Sequence, residues 1–376
     1  MNDTGTATGT ESRTPRRPHR WRTALAAMAV IGAAVTAAAP ALAGGANTGA
    51  GAADAGATDS PGAGGRVADL GPSRAAGGTP CRSYEFTVAM TEGSPAEHQV
   101  YGELCARGRV TSRTPLQILL HGGTYDHAYW DWPFQPRRYS YVEQATRQGF
   151  ATLNLDRLGY GRSDHPDPNR LDFAVHGYVT HQIVRLMDTR FRTIVLNGHS
   201  MGGITAEHAA ARGGVDAVII SGLAADRGAD RSETKRPEPT FHPAEQDPKF
   251  ADAGLPPGYL TSIPGTRAGM FLDGGDYDPA IVPHEEKLKD TVAMAELRAV
   301  QGPPARRGAT TVPTLYVLGR YDLIACGDTG DCRTDPAAST TDRIIEGAGH
   351  SLNTGTHAGT FYRATFSWLA RLGIRG

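Results

Sequence analysis

The sequence predicts an α/β fold in which a mostly parallel sheet is covered by helices on both faces. Short apolar runs alternate with amphipathic segments between residues 116 and 221, and the alternation resumes from residue 314 to the end of the chain. Parallel strands joined by helices produce this alternation, because each connecting helix packs on the sheet between two strands. The part of the chain that carries these elements has roughly 300 residues, which is enough for one large core.

The first 43 residues have the three parts of a secretory signal peptide. Five arginines lie in residues 13–22, an alanine-rich apolar run occupies residues 24–39, and Ala-Leu-Ala at residues 41–43 forms a cleavage site. The apolar run has about sixteen residues, whereas a membrane-spanning helix needs about 20, so cleavage is favoured over a membrane anchor. The Arg-Arg pair at residues 16–17 leaves twin-arginine export open beside the general secretory route. We therefore expect a secreted protein with no stable membrane anchor after cleavage.

Residues 44–80 are expected to form a disordered linker, because they are rich in glycine and alanine and contain almost no large apolar side chains. Such a segment cannot bury enough apolar surface to offset the conformational entropy lost on folding. The predicted folded domain therefore comprises residues 81–376. The whole chain has a formal net charge of −1 and no long basic run after the cleavage site, so nothing favours a nucleic acid or an anionic membrane as a partner.

Four cysteines follow the cleavage site, at Cys81, Cys105, Cys326 and Cys332. An even number in an exported chain predicts two disulfides, most simply Cys81–Cys105 and Cys326–Cys332, although four cysteines allow three pairings. The sequence contains no C-x-x-C motif, which argues against a thiol redox site or a structural zinc site.

Each element of the predicted sheet follows from its local pattern. Two alternating, β-rich runs, SYEFTVAM and HQVYGELCA, predict an opening antiparallel hairpin whose ends the first two cysteines would join. Buried strands have continuous apolar runs, and amphipathic helices have apolar residues every three or four positions. In chain order these patterns predict a strand in residues 115–121, a helix in 138–149, a strand in 150–156, a helix in 173–189, a strand in 192–198, a helix in 200–214 and a strand in 216–222.

The alternation is interrupted in residues 223–308, which we call the insertion and which are charged and rich in proline. Only a few helical pieces are predicted there, such as residues 285–300. Strands in residues 314–322 and 342–350 and a final helix in 360–373 then complete the sheet. The insertion therefore lies between two sheet strands, and we expect it to form a lid over the carboxyl edge of the sheet.

The stretch NGHSMGG, residues 197–203, places Ser200 between two glycines in a G-x-S-x-G pattern. The pattern alone is weak, but here it follows an apolar strand and opens a helix, which is the context of a nucleophile elbow. Gly198 and Gly202 are needed where the strand and the helix approach too closely for side chains. The turn would direct the Ser200 hydroxyl into the crevice above the sheet. It would also place the Met201 N–H at a helix N-terminus, where it favours an oxyanion.

A serine nucleophile needs a base, and the base needs a carboxylate to orient it. His350 lies in the glycine-rich stretch EGAGHSLN after a late strand, and Asp322 ends the preceding strand at LGRYD. These two residues are the predicted base and acid. Asp226, after the sixth strand, is the alternative acid, and Asp328 and Asp331 between the last two cysteines are weaker alternatives.

The loop after the third strand, HGGTYDHAYW, would supply the other oxyanion donor. The backbone N–H of Gly123 or Thr124 is expected to face that of Met201. His121 is predicted to orient this loop rather than to act as a base. His199, beside the serine, is expected to pack under the elbow.

A dense aromatic group follows the same loop and predicts an apolar substrate pocket. Its members are Tyr125, Tyr129, Trp130, Trp132 and Phe134. Thr124, Tyr125 and Trp130 are the candidate substrate-binding residues, with packing of the loop against the insertion as the alternative. His176 and His181 lie five positions apart on one predicted helix and do not share a face, so no metal site is predicted.

Taken together, the motifs resemble those of lid-bearing α/β-hydrolases over residues 84–376. The motifs are HGG at residues 121–123, DRLGYGRSD at 156–164, GHSMGG at 198–203, LGRYD ending at Asp322 and GAGH ending at His350. The resemblance implies an eight-stranded sheet with the insertion between strands 6 and 7, and a triad in the chain order Ser200, Asp322, His350. The serine at the elbow excludes relatives that use an aspartate there. The cysteine-joined hairpin and the CGDTGDC stretch depart from the simplest family members.

That family includes esterases, lipases, peptidases, lactonases, thioesterases and acyltransferases, so the resemblance alone does not fix the substrate. The sequence favours an exported serine hydrolase that cleaves a small-molecule carboxylic ester through an acyl-enzyme, with no metal or organic cofactor. Peptide or amide hydrolysis and acyl transfer are the alternatives within the fold. An aminopeptidase would require acidic residues in the insertion, such as Glu285 or Glu286, to bind an amine. The alternative from a different functional class is a protein that forms no acyl-enzyme. Such a protein would bind a ligand or template a cyclisation. The acyl-chain preference and the oligomeric state stay open.

Overall fold

The computed structural model describes residues 65–224, 241–272, 274–301, 310–326 and 340–376. Several sequence predictions fall outside these ranges and stay predictions. They concern the signal peptide, most of the linker, Asp226, Asp328, Asp331 and Cys332.

A large mixed sheet forms the centre of the protein. The strands within the described ranges are β1 (Arg66–Arg74), β2 (Pro80–Val88), β3 (His98–Cys105), β4 (Leu116–Leu120), β5 (Ala151–Leu155), β6 (Ile194–His199), β7 (Ala217–Ser221), β8 (Phe241–Pro243), β9 (Tyr259–Ser262), β10 (Thr291–Ala293), β11 (Thr314–Gly319) and β12 (Thr340–Ile345). The central sheet has nine strands in the order β1-β2-β3-β5-β4-β6-β7-β11-β12. Pairing is antiparallel from β1 to β5 and parallel from β5 to β12. The prediction of a mostly parallel sheet is confirmed.

Helices cover both faces of this sheet. The α-helices are α1 (Pro136–Tyr139), α2 (Tyr141–Arg147), α3 (Phe173–Met187), α4 (Met201–Ala210), α5 (Val282–Lys287), α6 (Met294–Gln301), α7 (Leu323–Cys326) and α8 (Ala358–Arg371). Short 3-10 helices occupy His127–Tyr129, Ala244–Gln246 and Pro279–Ile281. Ile118 and Leu120 of β4 belong to the core cluster that contains residues of α3 and α4. Leu119, between them, belongs to the cluster that contains residues of α2 and α8. None of the helices described is both long enough and apolar enough to cross a bilayer.

Part of the predicted linker belongs to the central sheet. The prediction of a disordered linker over residues 44–80 is wrong for Arg66–Arg74, which forms β1 and pairs antiparallel with β2. This strand adds a ninth member to the sheet of eight that the family resemblance implies. Most of its residues are exposed, including Val67 and Leu70. An exposed edge strand is held mainly by backbone hydrogen bonds, so it lacks the apolar alternation on which strand prediction depends.

The predicted disulfide between Cys81 and Cys105 is present. The two cysteines are directly paired residues of β2 and β3, with their Cα atoms 4.0 Å apart. Cys326 is also disulfide-bonded. Its predicted partner, Cys332, lies outside the described ranges.

The insertion occupies the chain between β7 and β11. Its described part contains the three-stranded antiparallel sheet β10-β9-β8, the helices α5 and α6, and a π-helical turn at Ala268–Leu272. The helical piece predicted over residues 285–300 is interrupted, because β10 separates α5 from α6. Thr291 and Val292 in this strand are β-branched and fully buried, and such residues fit a strand better than a helix.

Candidate active site

Ser200 lies at a sharp turn between β6 and α4. Its backbone has a φ of 53° and a ψ of −119°. A positive φ is uncommon for any residue other than glycine, so the turn holds this serine in a strained conformation. The Ser200 N–H donates to the carbonyl oxygen of Ser221, at the end of β7, over 2.7 Å. The serine is part exposed although β6 is buried, so the turn presents it at the carboxyl edge of the sheet.

Close backbone contacts explain the two glycines that flank this serine. A Cβ on Gly198 would overlap the backbone of Gly202, and a Cβ on Gly202 would overlap the carbonyl oxygens of Leu120 and His121. The end of β4 and the start of α4 therefore approach each other too closely for any side chain. This approach brings the loop after β4 next to the serine.

Gly202→Ala is expected to lower the free energy of unfolding by about 1–3 kcal/mol, because the added methyl group must displace backbone at the turn. Chemical denaturation measures the change. Gly359→Ala is the matched control, since a Cβ on Gly359 in α8 meets only the far end of Arg363, at 3.5 Å. Alanine also has a higher helix propensity than glycine. Equal losses in the two variants would contradict the steric explanation.

His350 and Asp322 form a buried pair. The Nδ1 atom of His350 lies 2.9 Å and 3.0 Å from the two carboxylate oxygens of Asp322. Asp322 follows β11, and its Oδ1 also accepts the backbone N–H groups of Ile324 and Ala325 in α7. The helix thus fixes the carboxylate, and the carboxylate favours the imidazole tautomer with its proton on Nδ1. Nε2 is then left as the acceptor.

The ring of His350 reaches the ends of β6 and β7. It packs against the ring of His199, the residue before Ser200, with ring centroids 4.9 Å apart. A Cβ on Gly222, just after β7, would be 3.1 Å from Cε1 of His350. His350 makes its hydrogen bonds to Asp322 and none to the serine hydroxyl. In sites without substrate, such catalytic hydrogen bonds are often long and shorten when the substrate binds.

His199 packs under the turn, as the sequence predicts. Its ring stacks on that of Tyr129 with centroids 4.5 Å apart, and its Nδ1 lies 3.1 Å from the hydroxyl of Ser221. Burial, and then the proximity of His350, lower the pKa of His199 well below its usual range. His199 is therefore neutral, and it places no positive charge beside His350.

The loop after β4, residues 121–124, lies directly over the turn that carries the serine, and we call it the HGG loop. A Cβ on Gly122 would be 3.3 Å from the Cβ of Ser200, and one on Gly123 would be 2.5 Å from the sulfur of Met201. The backbone N–H groups of Gly123 and Met201 make no hydrogen bond within the described part of the chain. Gly123 and Met201 are themselves partly exposed. The N–H of Thr124, the alternative donor, already donates to a carbonyl oxygen in the insertion.

His121 orients the HGG loop. Its Nδ1 lies 2.8 Å from the carbonyl oxygen of Gly122, and its Nε2 accepts the backbone N–H of Arg157 at 3.1 Å. Burial, and then the charge of Arg157, lower the pKa of His121 to about 3. The ring is therefore neutral near pH 7, and both of its nitrogens are used in holding the loop.

A buried ion pair joins the HGG loop to α6 of the insertion. Arg157 donates from Nη1 to Glu296 at 2.5 Å and from Nε to the carbonyl oxygen of His121 at 3.2 Å. The hydroxyl of Tyr160 donates to the other carboxylate oxygen of Glu296 at 2.5 Å. Burial by itself would raise the pKa of Glu296, but Arg157 and His176 lower it. The carboxyl group is therefore charged.

A second buried ion pair holds the last residue of the HGG loop. Arg267, just before the π-helical turn, is fully buried and donates from Nη1 to the carbonyl oxygen and the hydroxyl of Thr124, at 3.1 Å and 2.9 Å. Its Nε and Nη2 donate to Glu285 at 3.3 Å and 3.2 Å. Glu285 also accepts from Tyr125, whose hydroxyl lies 3.0 Å from that of Ser351.

Neither ion pair is a candidate from the sequence. The one signal for the first pair is that Arg157 lies in the DRLGYGRSD motif, at residues 156–164. Arg267 and Glu285 lie in the insertion, outside every recognisable motif.

A family model described as the alpha/beta hydrolase family matches residues 117–364, which is more than half of the chain. The protein belongs to the alpha/beta hydrolase family. Among proteins with curated descriptions, none matches this hydrolase in sequence.

Solved structures share the fold of this hydrolase at low sequence identity. An esterase from Exiguobacterium antarcticum is 16% identical, with a TM-score of 0.53, over 73% of this chain and 96% of that chain. The alpha/beta hydrolase GrgF from Penicillium sp. sh18 is 18% identical, with a TM-score of 0.53, over 78% of this chain and 98% of that chain. A thermophilic esterase from Thermogutta terrifontis is 17% identical, with a TM-score of 0.51, over 75% of this chain and 97% of that chain. These likenesses support the same fold.

The hydrolase buries its three candidate substrate-binding residues. Trp130 has an exposure of 0% and packs against the rings of Tyr141 and Phe361, on α2 and α8. Tyr125 contacts the insertion through its hydroxyl, and the hydroxyl of Thr124 accepts from an arginine of the insertion. Packing accounts for all three positions. Thr124 and Tyr125 pack against the insertion, and Trp130 packs in the core. Their role in substrate binding stays a prediction.

One group of side chains among the described residues of the hydrolase has the spacing of metal ligands, and it consists of Asp126, His127 and Asp156. Nδ1 of His127 lies 2.7 Å from Oδ1 of Asp156. Burial by itself would lower the pKa of His127, but Asp156 raises it to about 10. His127 and Asp156 thus form an ion pair, and the same carboxylate accepts the backbone N–H groups of His127 and Arg162, which fixes the turn after β5.

Proposed function

We propose that this hydrolase cleaves carboxylic esters through an acyl-enzyme. Ser200 is the nucleophile, His350 is the base, and Asp322 orients the base. The observation that carries the proposal is the buried pair of His350 and Asp322, 2.9 Å apart, beside a serine at a strained strand-to-helix turn. A base held by a carboxylate is what converts a serine hydroxyl into a nucleophile.

The reaction follows from this arrangement. Nε2 of His350 takes the proton of Ser200 as the serine oxygen attacks the ester carbonyl carbon. The carbonyl oxygen becomes an oxyanion that accepts hydrogen bonds from the N–H groups of Gly123 and Met201. The intermediate then expels the alcohol, which takes the proton from His350, and an acyl group stays on Ser200. Water gives a proton to His350 as it attacks the acyl-enzyme, and His350 returns that proton to the Ser200 oxygen as the acid leaves. Asp322 stabilises the imidazolium in both steps.

The two acidic residues named as candidates for binding a substrate amine, Glu285 and Glu286, favour an ester over a substrate that carries a free amine. An aminopeptidase needs an unpaired carboxylate beside the serine. Glu285 is fully buried and accepts from Arg267 and Tyr125. Glu286 accepts the backbone N–H of Gly265 at 2.9 Å. Both carboxylates thus have partners within the protein, and esterases occur among the solved structures of this fold.

We also propose that the hydrolase is exported, with residues 1–43 as its signal peptide. The basic segment, the apolar run and the Ala-Leu-Ala site support this localisation. A disulfide between Cys81 and Cys105 fits an oxidising compartment. The intact mass of the secreted protein tests cleavage after Ala43, because an uncleaved chain would retain the mass of the first 43 residues.

Labelling of the secreted protein with a fluorophosphonate tests the chemistry. We expect one adduct per chain, mapped by mass spectrometry to Ser200 and lost in His350→Ala. His357→Ala is the matched control, because His357 forms a similar pair with Asp276, at 3.2 Å, on the surface of the protein. Absence of labelling in a folded sample would contradict ester hydrolysis. It would favour the alternative of ligand binding or cyclisation without an acyl-enzyme.

A further inference from the structure

Thr124 is held in a conformation that β-branched residues avoid. Its φ is 58°, in the left-handed region, where residues other than glycine, asparagine and aspartate are uncommon. A strained residue of this kind persists only where its surroundings fix it, and such strain is concentrated at functional sites. Thr124 directly follows Gly123, whose N–H is one of the two proposed oxyanion donors.

Every polar group of Thr124 is bonded to the insertion. Its N–H donates to the carbonyl oxygen of Thr291 at 3.1 Å, and its carbonyl oxygen accepts the N–H of Asp290 at 2.9 Å. Nη1 of Arg267 donates to the same carbonyl oxygen at 3.1 Å and to the hydroxyl at 2.9 Å. The arginine is thus the only side chain among the described residues that donates to Thr124.

The same arginine is connected to the loop that carries the base. Its counter-ion, Glu285, accepts from the hydroxyl of Tyr125, which is 3.0 Å from the hydroxyl of Ser351. The guanidinium of Arg267 also lies over the rings of Tyr125 and Phe271, 4.4 Å and 4.9 Å from their centroids. The carbonyl oxygen of Phe271 accepts the N–H of Ser351 at 3.0 Å. Because Arg267 is fully buried, it acts through these neighbours and not by touching the substrate.

We propose that Arg267 is a positioning residue for the reaction, which holds Thr124 in its left-handed conformation and so keeps the Gly123 N–H directed at the oxyanion. The inference rests on the proposed function, because it requires an oxyanion beside Ser200. Rotation about φ of Thr124 would turn the peptide that joins it to Gly123. It would thereby move the Cα of Gly123 and displace the N–H that Gly123 carries on its preceding peptide. Since Arg157 and Glu296 hold His121 at the other end of the HGG loop, both ends of this loop depend on the insertion.

The test compares kcat and KM for hydrolysis of p-nitrophenyl acetate. Arg267→Met/Glu285→Gln removes both charges, so no unpaired charge is left in the interior. We expect kcat to fall by about 10²-fold, with KM within about threefold of the parent value, because loss of one oxyanion donor costs about 10²–10³-fold in kcat. Arg267→Lys keeps the charge but not the forked contact, and we expect a smaller fall of about tenfold.

Lys289→Met/Asp247→Asn is the matched control, because it likewise removes both charges of a buried ion pair. Lys289 and Asp247 form another buried ion pair of the insertion, 2.5 Å apart, and Lys289 makes no hydrogen bond to the HGG loop. Loss of this ion pair measures how much the removal of any buried ion pair in the insertion destabilises the fold. We expect a lower thermal unfolding midpoint but a kcat within about threefold of the parent value, measured well below that midpoint.

The Thr124→Gly variant tests whether Arg267 acts by positioning Thr124 or only by stabilising the fold. Glycine adopts a φ near 58° without strain, so the loop should depend less on Arg267 in this background. We expect the loss of kcat caused by Arg267→Met/Glu285→Gln to shrink by about tenfold there, which a double-mutant cycle measures. An equal loss with threonine and with glycine at position 124 would overturn the proposal, as would a parent-like kcat in Arg267→Met/Glu285→Gln.

Hydrogen–deuterium exchange of the peptide that covers residues 121–125 separates this proposal from the proposed function. We expect faster exchange in Arg267→Met/Glu285→Gln, and not in Lys289→Met/Asp247→Asn, whether or not the ester is hydrolysed. Unchanged exchange would overturn the positioning role. A different outcome is that exchange is faster in the variant but the parent protein is not labelled at Ser200. That outcome would overturn the proposed function, whereas the conclusion that Arg267 fixes the HGG loop would remain.

Discussion

Ser200→Ala is expected to abolish ester hydrolysis, with a fall in kcat of about 10⁶-fold, the size of effect that removal of a serine nucleophile has in this mechanism. Without the serine oxygen no tetrahedral intermediate forms, and the N–H groups of Gly123 and Met201 have no oxyanion to stabilise. The fold should be retained. Serine and alanine accept a φ of 53° at a similar cost, and the Ser200 side chain does not cap α4.

Two measurements on the purified protein check this expectation, namely steady-state hydrolysis of p-nitrophenyl acetate and the thermal unfolding midpoint. Ser367→Ala is the control, because Ser367 lies on the exposed face of α8, and it should match the parent in both quantities. A Ser200→Ala protein that kept more than about 1% of the parent turnover would remove this serine from the mechanism.

Asp322→Asn is expected to lower kcat by about 10⁴-fold with little change in KM. The asparagine amide can donate to Nδ1 of His350, which moves the imidazole proton to Nε2 and removes the acceptor that the serine needs. The counter-charge of the imidazolium is lost as well. The asparagine oxygen can still accept the N–H groups of Ile324 and Ala325 that cap α7, so we expect stability close to that of the parent.

Asp276→Asn is the control for this second variant. Asp276 is paired with His357 at 3.2 Å, but its side chain is 72% exposed, and its loss should leave kcat unchanged. The comparison uses kcat and KM for the same p-nitrophenyl ester in the three proteins. If Asp322→Asn lost less than about tenfold in kcat, another acid would have to orient His350, and Asp226 would be the next residue to replace.

The central sheet can be predicted from the sequence because its parallel strands are buried on both faces. Every residue of β4, β6, β7 and β11 is buried, and such strands appear in a sequence as continuous apolar runs. β1 has no such pattern, since most of its residues face solvent and its partner is the backbone of β2. Sequence patterns reveal strands whose apolar side chains are buried, so they do not predict a strand whose side chains are mostly exposed.

The candidate catalytic residues can be predicted for a related reason. Ser200, Asp322 and His350 each follow a parallel strand within a short local motif, and parallel strands bring their carboxyl ends to one edge of the sheet. The ion pairs around the HGG loop have no local pattern. Arg157 and Glu296 are 139 residues apart, and Arg267 and Thr124 are 143 apart. In a sequence, a charge that will be buried looks the same as one that stays in water.

These interactions between residues far apart in the sequence also determine how the domain unfolds. A segment attached only at its two ends could melt while the sheet stayed folded. The insertion differs, because pulling it away would leave Arg157 and the backbone around Thr124 buried without partners, and an unpaired buried charge is strongly destabilising. The insertion and the sheet should therefore unfold together, in one cooperative transition, and a protease should not release the insertion from an otherwise native protein.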